Sequence, residues 1–271
     1  MLMELNKKFL FLKKFLCFTI LILIFLFINK TNADTISSSS DTTSNDTVDL
    51  QGDIKENRTY DITNSSVYTL DAQIISSSYS VTKTGNGTLV LNVDNSSNLS
   101  SQTTITAGTI AAGANNALGT GSVVLNGGTL SSNNSTARTL GNAIVVQNSS
   151  TLGNSTNNGT LTLSGGITFN DKNLVLTSNS NNSISSVDFG TEPTTLSVSS
   201  GVTSTVTGAV SNGTLTKSGA GTLVLAGTNT YVGGTVISAG ILEIQGQLGS
   251  GNYTNIISNS SQLKINSSKR S

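Results

Sequence analysis

The run LTKSGAGTLVLAGTNTYVGGTVISAGIL, residues 215–242, decides the fold, because a looser copy, VTKTGNGTLVLNVDNSSNLSSQTTITAGTI, occupies residues 81–110. Both begin Thr-Lys-[Thr/Ser]-Gly-x-Gly-Thr-Leu-Val-Leu, pass through a polar turn region and close on Ala-Gly. Lys83 to Gly108 is 25 positions and Lys217 to Gly240 is 23. Self-similarity at this spacing is the mark of a solenoid. Thr88 to Leu91 and Thr222 to Leu225 are short β-branched and apolar runs bounded by Gly, Asn, Ser and Asp, which predicts strands between turns. Gly85, Gly87, Gly219 and Gly221 stand where the backbone must turn or approach the next coil closely.

On these residues the 215–242 segment resembles the autotransporter-associated β-strand repeat of secreted bacterial surface proteins. Lys217, Gly219, Gly221, Thr222, Leu223, Leu225, Asn229, Thr230, Tyr231, Gly233, Gly234, Thr235 and Gly240 carry the likeness. In the earlier copy the Asn-Thr-Tyr-x-Gly-Gly-Thr portion is replaced by Asp94-Asn95-Ser96-Ser97-Asn98. The resemblance covers about residues 80–265. It implies an all-β, right-handed parallel β-helix and a surface or extracellular location, and no activity by itself.

Composition agrees. The 271 residues are 10% charged and 5% aromatic, with 27 Gly, one Pro, no Trp and no His. Few charges and short, regularly spaced apolar clusters suit a stack of coils, in which each rung needs only a few inward side chains and backbone ladders satisfy the polar groups. Gly-Thr-Leu or a relative recurs at Gly87, Gly108, Gly128 and Ser150, predicting coils of about 21 residues. The triplets at Gly159, Gly213 and Gly221 fall out of step, so later coils hold more than one such corner. In Leu161-Thr162-Leu163, Leu174-Val175-Leu176 and Leu223-Val224-Leu225 the flanking leucines are expected inward and the middle residue outward. Asn and Ser at the turns are expected to form ladders with the same residues one coil above.

The predicted domain plan is a signal peptide at 1–33, a flexible Ser/Thr/Asp-rich leader at 34–47, an N-terminal cap region at 48–80 and a solenoid passenger at 81–271. Lys7, Lys8, Lys13 and Lys14 precede an apolar run from Phe15 to Ile28, and Thr31-Asn32-Ala33 offers a cleavage site. That run is shorter than the roughly 20 residues of a membrane-spanning helix. An uncleaved anchor is the alternative, and no stable span is expected after cleavage. Cys17 lies within the apolar run, so the mature chain has no cysteine. It carries 9 basic and 13 acidic residues, a net charge of −4, and no basic stripe for nucleic acid or anionic lipid. The chain stops at Lys269-Arg270-Ser271 without alternating, aromatic-girdled strands. A translocator β-barrel is therefore expected to be encoded elsewhere or lost, with export to the cell surface, outer membrane or medium, or to the periplasm if no translocator is available.

The search for chemistry is an elimination. Without histidine the usual triads are excluded, and without mature cysteine so are a thiolate nucleophile and a zinc-thiolate site. No EF-hand, calcium nonapeptide or phosphate-binding loop occurs. No catalytic, cofactor-binding or metal residue and no cofactor is assigned. The glycan-cleaving reading available to parallel β-helices would rest on Asp171 with Lys172, Asp188, Glu192 and Arg138, scattered over 54 positions. Solvated loop charges are the favoured reading of these. Tyr231 is expected to pack at a coil corner, with an exposed carbohydrate or receptor contact as the alternative. The function expected is a non-catalytic stalk or adhesin displaying loops such as Asn92 to Asn98 and Ser178 to Asn182 toward a host-cell surface or glycan. A β-helical glycan-cleaving enzyme and a non-functional remnant of a split gene are the alternatives.

Overall fold

A computed structural model describes residues 35–37, 52–53, 57–76, 78–156, 159–170, 173–249 and 253–266. The chain divides into Met1–Ala33 and Asp34–Ser271. The expected signal peptide, and all of the leader but Thr35–Ser37, lie outside the described residues.

The described part of Asp34–Ser271 is all-β, a parallel solenoid of about ten turns with coils of about 21 residues. Each coil runs along three sides. The first side is a nine-stranded sheet from Thr35–Ser37 through Arg58–Asp61 and Val81–Thr84 to Val210–Ser211. The pair Thr228–Asn229 and Gln247–Leu248 continues it, joined where Thr230 N donates to Val210 O at 2.7 Å. The second side is a ten-stranded sheet from Val67–Leu70 to Ile257–Asn259. The third is a seven-stranded sheet from Arg138–Leu140 to Gln262–Ile265, and in earlier coils it reduces to turns and the short strand Ile74–Ile75. Ten strands at roughly 4.8 Å span about 43 Å.

Register follows the punctuation of the sequence. Thr88 pairs with Thr109, Thr109 with Thr129 and Thr129 with Thr151, the Gly-Thr-Leu series one coil apart each time. Residues 57–80 make a coil of the same kind, with Arg58 opposite Val81 and Val67 opposite Thr88. The widest step on this side takes Thr151 to Thr177.

Alternation fills the core as expected. Leu161 and Leu163 are buried around half-buried Thr162, and Leu174 and Leu176 around Val175. Val224 is the exception, pointing outward yet only 5% exposed, between Thr205 and Glu243 of the neighbouring coils. Like serines pair across coils as expected, Ser76 with Ser101 and Ser178 with Ser204, each at 3.4 Å. Asn126 and Asn148 pair as like residues, but the commoner bond joins an Asn to a carboxylate one coil away: Asn92 to Asp71 at 2.6 Å, Asn212 to Asp188 at 2.8 Å and Asn266 to Glu243 at 2.9 Å. The carboxamide donates and the carboxylate accepts, a stronger bond than a neutral pair.

Candidate functional site

The repeat motif builds a cation cage. Lys83 and Lys217 sit at inward positions of Val81–Thr84 and Thr214–Ser218, and both are 0% exposed. An ammonium removed from water must direct its three donors at acceptors. Lys217 Nζ donates to Ser218 O at 2.6 Å, Gly219 O at 2.8 Å and Ala239 O at 3.1 Å. Lys83 Nζ donates to the equivalent set, Thr84 O, Gly85 O at 2.9 Å and Ala107 O at 3.4 Å. Gly85 at φ 68° and Gly219 at φ 71° take the left-handed turn that brings their carbonyls onto the lysine.

This geometry explains the length of the motif. Its Lys and its terminal Ala-Gly lie one coil apart, Lys83 and Ala107 by 24 positions and Lys217 and Ala239 by 22, and they meet at one corner. The Ala carbonyl is the third acceptor. The Gly after it leaves room, since a Cβ on Gly240 would lie 2.3 Å from Gly219 O and one on Gly108 2.8 Å from Lys83 Nζ. A neutral counterpart occupies another corner, where Asn142 Nδ2 donates to Leu118 O at 3.2 Å, Gly119 O at 3.1 Å and Gly121 O at 2.7 Å.

The next corner of the motif is closed by asparagine. Asn229 Oδ1 accepts from Val210 N at 3.1 Å, while its Nδ2 donates to Gly227 O and Gln247 O at 2.9 and 3.0 Å. Asn95 has the same function, with Oδ1 accepting from Ile74 N at 2.8 Å and Nδ2 donating to Ala117 O at 2.6 Å. Asn95 comes after Lys83, and Asn229 after Lys217, by 12 positions. The weaker copy therefore keeps the corner asparagine and lacks the Thr-Tyr-x-Gly-Gly-Thr run that succeeds it in the stronger one.

Tyr231, in the middle of that run, is buried at 2% exposure as the packing reading expects. It belongs to an internal column in which ring centroids are 6.0 Å apart for Phe169 and Phe189, 6.1 Å for Phe189 and Tyr231 and 5.7 Å for Tyr231 and Tyr253. Phe189 and Tyr231 are two coils apart. They touch because the coil between them has Gly213 there, where a Cβ would lie 2.7 Å from that of Phe189. The Tyr231 hydroxyl meets Thr235 Oγ1 at 2.7 Å, and Thr235 Oγ1 meets the Tyr253 hydroxyl at 2.9 Å. Burial pushes the Tyr231 hydroxyl well above the ordinary tyrosine range.

Burial pushes Lys217 down to about 8, and Lys83 to about 8 against the opposing charge of Asp61. The unfolded chain, with ordinary lysines near 10.4, binds more protons than the folded one between those values, so stability rises with pH there. Thermal unfolding at pH 9.5 is expected at a higher midpoint than at pH 7.5, below the range where buried tyrosines reverse the slope. A flat or falling midpoint would refute the assignment, and the double Lys83→Met, Lys217→Met chain should lose the rise.

Of the residues weighed for glycan cleavage, the described ones, Asp188, Glu192 and Arg138, lie on different elements. Asp171 and Lys172 lie outside the described residues. Asp188, on the first side, spends one carboxylate oxygen on Gly190 N at 2.9 Å and Asn212 Nδ2 at 2.8 Å. Glu192 is exposed in the bend before Pro193–Val198. Arg138 lies on the third side, two coils before Asn182 in the ladder, with Nη2 toward Asn133 Oδ1 at 3.4 Å. No group of three or more His, Cys, Asp or Glu side chains gathers among the described residues. Hydrogen bonds from Ser96 hold Asp94, and from Gln245 and Asn266 hold Glu243, below the usual carboxylate range, the opposite of what a general acid needs.

A cleft of about 440 Å³ opens at the corner from the second to the third side, lined by Ser155, the run Asn179 to Asn181 and the run Ser199 to Val202. Behind its wall the inward alternation is polar. Ser178, Ser180, Asn182 and Ser204 are all buried, so the segment expected as a displayed loop is half interior. Ser180 Oγ and both carboxamide atoms of Asn182 are buried with no hydrogen-bond partner.

The architecture and its corner cages define a parallel β-solenoid carrying two copies of one repeat. Residues 81–112 and 215–244 match the family model of the passenger-associated-transport-repeat, which fits an autotransporter passenger domain. No curated protein and no solved structure matches the chain.

Proposed function

We propose that this chain is a secreted or cell-surface passenger acting as a non-catalytic stalk or adhesin that holds polar corners away from the cell. The observation that carries this reading is the pair of passenger-associated repeats inside one continuous parallel solenoid. The use of Asp71, Asp188 and Glu243 as ladder acceptors supports it against glycan cleavage. Only the exposed parts of the corners are available for contact, such as Asp94, Ser96 and Ser97 around inward Asn95.

An epitope inserted after Ser96 is expected to be labelled by antibody on intact cells and removed by added protease. Labelling only after the outer membrane is opened would defeat the display reading. Turnover of a polysaccharide that is lost with Glu192→Ala and Asp188→Ala would defeat the non-catalytic reading.

A further inference from the structure

Inward polar side chains act as plugs in most of the solenoid. Lys83, Asn95, Lys217 and Asn229 each bond a carbonyl of the next coil. Between the second and third sides, at residues 178–204, the inward polar side chains plug nothing. The inward column of the second side passes from Leu152 through Ser178 to Val198. That of the third side passes from Leu161 through Asn182 and Ser204 to Leu223. Polar residues thus stand where the coils before and after place leucine or valine, and with Ser180 at the corner all four are at most 5% exposed.

Their bonding is poor. Ser180 Oγ and both carboxamide atoms of Asn182 have no hydrogen-bond partner among the described residues, and the bond from Ser178 Oγ to Ser204 Oγ is long at 3.4 Å. Asn142 and Arg138 also contain an unpartnered buried atom, yet each is bonded through another atom of the same side chain. Asn182 has no such anchor. A buried polar group left unbonded costs its full desolvation penalty.

The opposite corner of these coils is sealed. Phe169 and Phe189 follow each other from the first side toward the second, and their rings meet edge to face with centroids 6.0 Å apart. The second-side ladder also runs through without a break, with four residue pairs between Val175–Ser178 and Pro193–Val198. Opening a coil elsewhere wets leucines and pulls out plugs, both of which resist it. Opening this corner gives water to atoms that the closed fold leaves unbonded, which offsets part of the ladder bonds lost. In a stack of coils stability is local, and the least stable corner opens first.

We propose that the corner made by residues 178–184 and 199–206 is a hinge. It opens within the folded chain while the Phe169–Phe189 corner and the second-side ladder stay closed. The rod then flexes between the coils that bear the first repeat and those that bear the second.

Amide exchange of the full chain is the first measurement. Protection of amides 182–184 and 204–206, corrected for intrinsic rate, is expected to be about tenfold or more below that of Thr109–Ala112, whose coil has apolar inward neighbours. The double variant Asn182→Val, Ser204→Val continues the leucine column and should recover that protection and raise the unfolding midpoint. Ser180→Ala, the smaller change, should move protection the same way with the midpoint unchanged or raised. Spin labels at exposed Ser96 and Val232 report the flexing, and their distance distribution should narrow in the double variant. Parent protection equal to that of Thr109–Ala112, or protection unaltered in both variants, would overturn the weak corner. A distance distribution of the same width in parent and double variant would overturn the hinge.

Discussion

Replacing Tyr231 with alanine is expected to lower the unfolding free energy by about 3–5 kcal/mol, the range for removing a buried aromatic ring from a packed core. The ring is held between Phe189 and Tyr253, and the glycine at the level between it and Phe189 has no side chain to move into the void. Tyr231→Phe keeps the packing and loses one bond, while Thr235 retains the Tyr253 hydroxyl, so about 1 kcal/mol is expected. Because each coil contacts chiefly its neighbours and this column reaches no further than two coils, faster amide exchange in the alanine variant should concentrate near residues 187–259 and spare 88–130. Equal effects of the two substitutions would show that the column does not bear on stability.

The second large effect belongs to Lys217. Lys217→Met keeps a long apolar stem and removes all three donors, stranding the carbonyls of Ser218, Gly219 and Ala239. Each charge-assisted bond contributes about 1.5–3 kcal/mol, offset in part by no longer burying an ammonium, and a net loss of about 3 kcal/mol is expected. Lys217→Gln should recover about half, because Asn142 shows that an amide can serve such a corner. Denaturant melts of the three chains decide the matter, and a methionine variant as stable as the parent would remove the cage from the account.

Legibility in the sequence depends on the residue. The coil is readable because apolar alternation and Gly-Thr-Leu punctuation report strand direction and corner spacing directly, and Thr88, Thr109, Thr129 and Thr151 fall into register accordingly. The lysine cage escapes sequence reading because a lysine between threonines reads as solvated. Its signal is present: Val81 and Leu215 each precede their lysine by two, which puts Lys83 and Lys217 on the buried face. Asn95 is hidden by its serine-rich surroundings, though its offset from the lysine is kept. The cleft has a local sign too, since Ser178 and Asn182 stand where the alternation asks for apolar residues. The aromatic column has none, because Phe189 meets Tyr231 across a coil whose only contribution there is the absence of a side chain.

The two repeats are not stacked on each other. The first places its lysine strand on the first side and its Thr-Leu-Val-Leu strand on the second, whereas the later copy places them on the second and third. The heritable unit is thus a bend with its plug, indifferent to compass direction. Deleting or duplicating a single bend would swing every downstream edge through about a third of a revolution, while gain or loss of a whole turn would preserve bearing and change only reach. Length variants of such a chain that must keep a contact pointing the same way should differ by whole turns.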